Sequence, residues 1–156
     1  MSKTHTYDVT VSWTGNRGTG TSSYDDYARD TALTAGDKPA ILGSADTAFR
    51  GDPARWNPEE MLVGALAQCH MLWFLHLASA NGVVVTEYTD AATGSMASDD
   101  GGAAAFTEVT LHPQVTVADE SMVRAAEALH TQASRMCFIA RSVKFPVRHR
   151  PVTQAA

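Results

Sequence analysis

From Met61 to Thr86 the chain carries no Asp, Glu, Lys or Arg. Charged residues make up 19% of the 156 positions, so a charge-free run of this length constrains the fold directly. As a helix, its first part, Met61 to Ala80, would measure about 30 Å, enough to cross a bilayer. Gln68, His70, His76 and Ser79 interrupt it, however, and no basic cluster flanks it, which argues against lipid as its surroundings. The favoured reading is a helix at the centre of a soluble fold. A helix apolar on nearly all sides must be covered on nearly all sides. One chain of this length has too few other elements to do so, and a second subunit is expected to supply the rest through a large apolar homodimer interface.

The remaining composition narrows the class. The length suits one domain over residues 1–156 that buries about 70% of its unfolded surface and needs no cross-links. Twelve Lys and Arg against seventeen Asp and Glu give a net charge of -5, with no basic stripe for nucleic acid or an anionic membrane. The opening residues lack the apolar run of a secretory signal, so a cytoplasmic protein is expected. Two cysteines, Cys69 and Cys137, stand far apart and in no C-x-x-C pair. They are too few for a disulfide scaffold or a four-thiolate zinc site.

The patterning predicts an α+β domain of order ββ(β)αββαβ, with antiparallel sheet packed on two helices. Tyr7, Val9, Val11 and Trp13 alternate with polar residues as in a half-buried strand over 5–13. Thr14 to Gly20 supplies a turn, and Thr21 to Leu33 has room for one or two strands. Thr34 to Trp56 reads as loop with at most a short strand. Asn57-Pro58-Glu59-Glu60 then offers a cap, a proline at the first helical position and a Glu to close a capping box. Asn81-Gly82 ends that helix, Val83-Val84-Val85 starts a strand, and Asp99-Asp100-Gly101-Gly102 turns a hairpin. Val109, Leu111, Val115 and Val117 alternate as a long strand. From Asp119 to Cys137 apolar residues recur at helical spacing, and Val143, Phe145 and Val147 predict a last strand.

Two buried cysteines are by default inert core thiols. The functional reading is a peroxide-reducing pair, in which a thiolate opens an O–O bond, becomes a sulfenic acid and condenses with the second Cys. Burial opposes the thiolate, and the helix dipole fades within the first turn whereas Cys69 lies about three turns past the helix start. Lowering a thiol pKa from roughly 8.5 to 6 takes about 3.4 kcal/mol, and one cation about 4 Å away at an effective dielectric of 20 supplies about 4. An arginine held by an acid is therefore expected. Glu59 is the candidate acid, but ten helical residues place it about 15 Å from Cys69 along the axis. The two are accordingly predicted to meet across the dimer interface, from different subunits. A metal site of Cys69, His70 and His76 is not favoured, because neighbours on a helix diverge by about 100° and ligands must lie near 2 Å. Both histidines read as hydrogen-bonded core residues, and Trp73, Phe74, Phe138 and Ile139 as packing that could also line an apolar substrate pocket.

Asn57-Pro58-Glu59-Glu60, then Cys69-His70-Met71-Leu72-Trp73, then Cys137-Phe138-Ile139-Ala140-Arg141-Ser142 resemble the OsmC/Ohr family of organic hydroperoxide reductases, in a less characterised Cys-His-Met-Leu-Trp branch. The resemblance runs from Trp13-Thr14-Gly15 to Phe145-Pro146-Val147. It implies an intertwined dimer with sheets wrapped around two central helices, active sites at the interface, and no metal or other cofactor. It implies Cys69 as the peroxidatic thiol, Cys137 as the resolving thiol and Glu59 as the acid that orients an arginine. That arginine is Arg50 if the site follows the OsmC branch and Arg17 if it follows the Ohr branch; Arg50 is favoured, as its segment is better placed for burial than a glycine-rich turn. The expected activity is reduction of small apolar hydroperoxides to alcohols in oxidative stress defence, with an external dithiol, lipoyl-type among the candidates, as reductant. The rival from another class is a non-catalytic domain that holds a small hydrophobic ligand in the same cleft.

Overall fold

The structure, a computed structural model, describes residues 3–156. The chain divides into two compact units, one ending at Met61 and one running from Leu62 to Ala156.

The first unit is a three-stranded antiparallel sheet of β1 (Thr10–Trp13), β2 (Thr31–Thr34) and β3 (Ile41–Gly43), in that order. β1 is shorter than its alternation predicts because pairing begins only where Thr10 meets Thr34. The face that alternation defines is exposed, from Trp13 at 44% to Tyr7 at 84%. Of the span Thr21 to Leu33, only the end is strand. Tyr24 and Tyr27 belong to the connecting loop, where both rings pack on the Arg29 guanidinium, 4.2 and 4.0 Å from its centre. Gly51 is required by close approach, since a Cβ there would collide with the Ala45 carbonyl.

Helix α1 (Pro58–Ala80) begins as its sequence predicts. The Glu60 amide donates to Asn57 Oδ1 at 2.8 Å and the Asn57 amide donates back to the Glu60 carboxylate at 3.2 Å, a reciprocal capping box. It closes at Gly82, in the left-handed region at φ 71, with the Val83 amide donating to the Ala78 carbonyl.

In the second unit, β4 (Val85–Asp90), β5 (Thr93–Ser98), β6 (Ala104–Leu111) and β7 (Pro113–Val117) form a long hairpin bent at its middle, so that β4 pairs with β7 and β5 with β6. The alternation over Val109 to Val117 is therefore two strands and not one. The break has a local cause. Pro113 has no amide for a ladder, and the His112 amide turns to the Asp90 carboxylate at 2.7 Å. Asp119 caps a single 3-10 turn, Glu120–Met122, ahead of helix α2 (Val123–Met136).

After α2 the chain adds β8 (Val147–His149) and β9 (Val152–Ala155). β8 pairs with β6, and β9 with β7, both in parallel. The sheets β4-β7-β9 and β5-β6-β8 are mixed, which corrects the expected all-antiparallel arrangement; α2 lies within the crossover that parallel pairing requires. Val143 and Phe145 precede the last strands instead of belonging to them. β9 has no apolar alternation to announce it, because its inward residues are Thr153 and Ala155.

Two apolar clusters form the core of this unit. Phe74, Leu77 and Ala78 of α1 pack with Val115, Val117, Ala126, Leu129 and Ala133. Leu66 packs with Val109 and Leu111. α1 is thus buried along one stripe, Leu66, His70, Phe74, Leu77 and Ala78, whereas Gly64, Gln68, Leu72 and His76 are exposed on the opposite side. Within one chain the uncharged helix is covered on one side only.

Candidate functional site

Helix α1 carries Cys69 and helix α2 ends on Cys137, which occupies its C-cap with an extended backbone. The sequence separates them by 68 positions, and the fold brings them near one another as free thiols, close enough for Cys69 to act on the Cys137 thiol. Cys69 is half-buried, while Cys137 is 1% exposed. Burial first, and then the neighbouring Cys69, pushes the Cys137 thiol up to about 11, against the Ala140 amide that donates to its sulfur at 3.4 Å. Cys137 is therefore a neutral S–H at pH 7, and Cys69 is the more accessible of the two sulfurs.

Aromatic side chains border the pair. Trp73, one helical turn beyond Cys69, packs edge-on against Phe138 at 5.5 Å and against His76 at 5.7 Å. Leu72, Trp73 and His76 line a cavity of about 250 Å³. His76 is exposed, which corrects its reading as a core histidine, because it lies on the stripe opposite the buried one. His70 is core, at 1% exposure, and its Nε2 is hydrogen-bonded to Nδ1 of His130 at 3.0 Å. Its ring stacks on those of His130 and His149, and Phe74 stacks on His130 at 4.2 Å. Burial depresses all three imidazoles, His70 to about 4 and His130 to about 3. Among the described residues no group of three or more His, Cys, Asp or Glu is arranged to hold a metal ion.

The remaining predicted residues lie in the first unit and upstream of the thiols in α1. Glu59 is half-buried, and among the described residues no hydrogen bond or ion pair holds its carboxylate. Arg50 pairs with Asp25, not with Glu59, and lies over the Tyr24 ring at 4.9 Å. Arg17 reaches the Asp25 carbonyl at 3.5 Å. The two candidate arginines thus converge on one loop residue. Arg50 is 54% exposed and takes a left-handed backbone, φ 64, so the burial that favours it over Arg17 is not found. Arg29, which no sequence motif singles out, is the better-held guanidinium: two tyrosine rings and the Tyr24 and Tyr27 carbonyls fix it. It borders an apolar cavity of about 500 Å³ with Val11, Trp13, Leu33, Ile41 and Trp56.

Sequence reasoning also misses His130 and His149, although a signal exists. His130 falls on the apolar stripe Ala126, Leu129, Ala133 of α2, and His149 continues the alternation of Val147.

The family model of the OsmC-like proteins matches residues 51–151. The chain belongs to the OsmC-like family. It is 30% identical to an OsmC-like protein of unknown function from Vibrio cholerae, with a TM-score of 0.84 over 96% of this chain and 100% of that one. Its fold is also that of organic hydroperoxide resistance proteins from Elizabethkingia anophelis, 13% identical with a TM-score of 0.70 over 100% of both chains, and from Legionella pneumophila, 15% identical with a TM-score of 0.70 over 98% and 99%. A comparison with curated protein sequences finds no match.

Proposed function

We propose that this protein is a cysteine-based peroxidase that reduces organic hydroperoxides to alcohols. The observation that carries the reading is the thiol pair: two cysteines remote in sequence meet, one accessible and one buried and neutral. The Cys69 thiolate attacks the O–O bond, so that ROOH and one proton yield ROH and a Cys69 sulfenic acid. The Cys137 thiol then displaces the sulfenic hydroxyl as water and closes a Cys69–Cys137 disulfide, which an external dithiol reduces. The Trp73–Phe138 wall favours an apolar R group, at about 0.8 kcal/mol per buried methylene.

The thiolate needs a cation, for which Arg50 and Arg17 are the candidates, with Glu59 as the acid that would orient one of them. A homodimer in the cytoplasm is part of this proposal. The exposed stripe of α1 and the exposed Val11, Trp13, Leu42 and Trp56 are the surfaces a second subunit would cover.

The test is direct. Cumene hydroperoxide added to reduced protein is expected to produce a Cys69–Cys137 disulfide by mass, faster than hydrogen peroxide does, and Cys69→Ser is expected to consume no peroxide. Equal rates with both peroxides, or full consumption by Cys69→Ser, would favour the rival reading, a ligand-binding domain built on the cavity beside Trp73.

A further inference from the structure

The peroxidase reading needs two sulfur atoms close enough to condense, yet it leaves three buried imidazoles without a part. Their placement relates directly to the thiols. His70 follows Cys69 on α1, and His130 precedes Cys137 by two turns on α2. The bond between His70 Nε2 and His130 Nδ1 therefore ties the two thiol-bearing helices together, one position from Cys69 and two turns from Cys137. Phe74 and His149 stack against the pair and hold the ring planes. His130 is 0% exposed and its Nε2 has no partner among the described residues. A buried polar atom left unpaired is costly, so this site is a poor choice if packing were its whole purpose; leucine would pack without that cost.

We propose that His70 and His130 are positioning residues of the thiol pair: their ring-to-ring hydrogen bond fixes the spacing of α1 and α2 and so sets how readily the Cys69–Cys137 disulfide closes. They touch neither sulfur nor peroxide in this role. A hydrogen bond between neutral rings suits it, because it is directional and brings no buried charge beside a thiolate. The inference rests on the proposed disulfide chemistry, but its test does not need peroxide.

The test uses the full-length protein in glutathione buffers, where two protein thiols and one glutathione disulfide become one protein disulfide and two glutathione thiols. The readout is the effective concentration of the Cys pair. His130→Phe keeps a buried ring and loses the bond; His130→Gln can restore it. The effective concentration is expected to fall at least about fivefold in His130→Phe, the worth of one net hydrogen bond, and to recover in His130→Gln. A His130→Phe value within about twofold of wild type overturns the proposal, as does a His130→Gln no better than His130→Phe. A second measurement needs no variant: the ring N–H shared by the pair should give a slowly exchanging signal in the spectrum of 15N-histidine protein, and its absence also overturns the proposal. If the peroxidase reading alone fails, no Cys69 sulfenic acid is trapped with cumene hydroperoxide while the glutathione result stands.

Discussion

The two units of this chain solve the burial problem differently. In the unit from Leu62 onward, Leu66, Phe74, Val109, Leu111, Val115 and Val117 are each no more than 2% exposed. Among the described residues of the unit ending at Met61, those buried are Gly15, Gly43, Ser44 and Asn57, and none of them is a large apolar side chain. Its Val11, Trp13, Leu42 and Trp56 are 44% to 64% exposed. A three-stranded sheet with such a face does not bury enough to offset its own ordering entropy. The second unit carries the buried apolar core and the thiols; the first carries the candidate arginines Arg17 and Arg50 and an exposed apolar face.

The largest effect should separate the two units. Phe74→Ala is expected to cost about 3–5 kcal/mol in denaturant unfolding, whereas Leu42→Ala should cost under about 1 kcal/mol at concentrations where the protein is monomeric. If a second subunit covers the first unit, the Leu42→Ala cost should grow with protein concentration, and a concentration-independent value would break the comparison as drawn.

Acid should act on the second unit. Above about pH 6.5 the imidazoles of His70 and His130 are neutral in folded and unfolded chains alike and contribute no pH dependence. Below it the unfolded chain takes up protons that the native core refuses, so stability falls as the pH drops toward about 4 for His70 and about 3 for His130. His70 alone makes that loss about 3 kcal/mol, and a double His70→Gln, His130→Gln variant should flatten the curve of unfolding free energy against pH. The smallest effect concerns the start of α1: Asn57→Ala removes the cap held by Glu60 and should cost about 1 kcal/mol, read by the same unfolding curves.

Much of the chain is legible from its residues alone. The limits of α1, its capping box, the stop at Gly82 and the turn at Asp99–Gly102 depend on residues within a few positions of each other, and each is where the patterning puts it. The bend at His112–Pro113 is less legible, since the apolar alternation runs through it unbroken, and only Pro113 and the Asp90 carboxylate reveal the break. β9 is invisible to patterning because its less exposed positions are Thr153 and Ala155. Of the candidate site, the two cysteines are identifiable as a pair, but their contact, the depth of Cys137 and the partner of Arg50 are not.

By itself, the sequence determined which segments are helical, where they start and stop, and that one long segment must avoid charge, because caps, turns and periodicity act over one or two turns of chain. Only the tertiary structure decided that α1 buries one stripe, that Cys137 reaches Cys69, and that His70, His130 and His149 form one stack. The hydrogen bond between His70 and His130 joins residues 60 positions apart. The energies of such contacts come from burial and hydrogen bonds that do not exist until α1, α2 and β8 have packed.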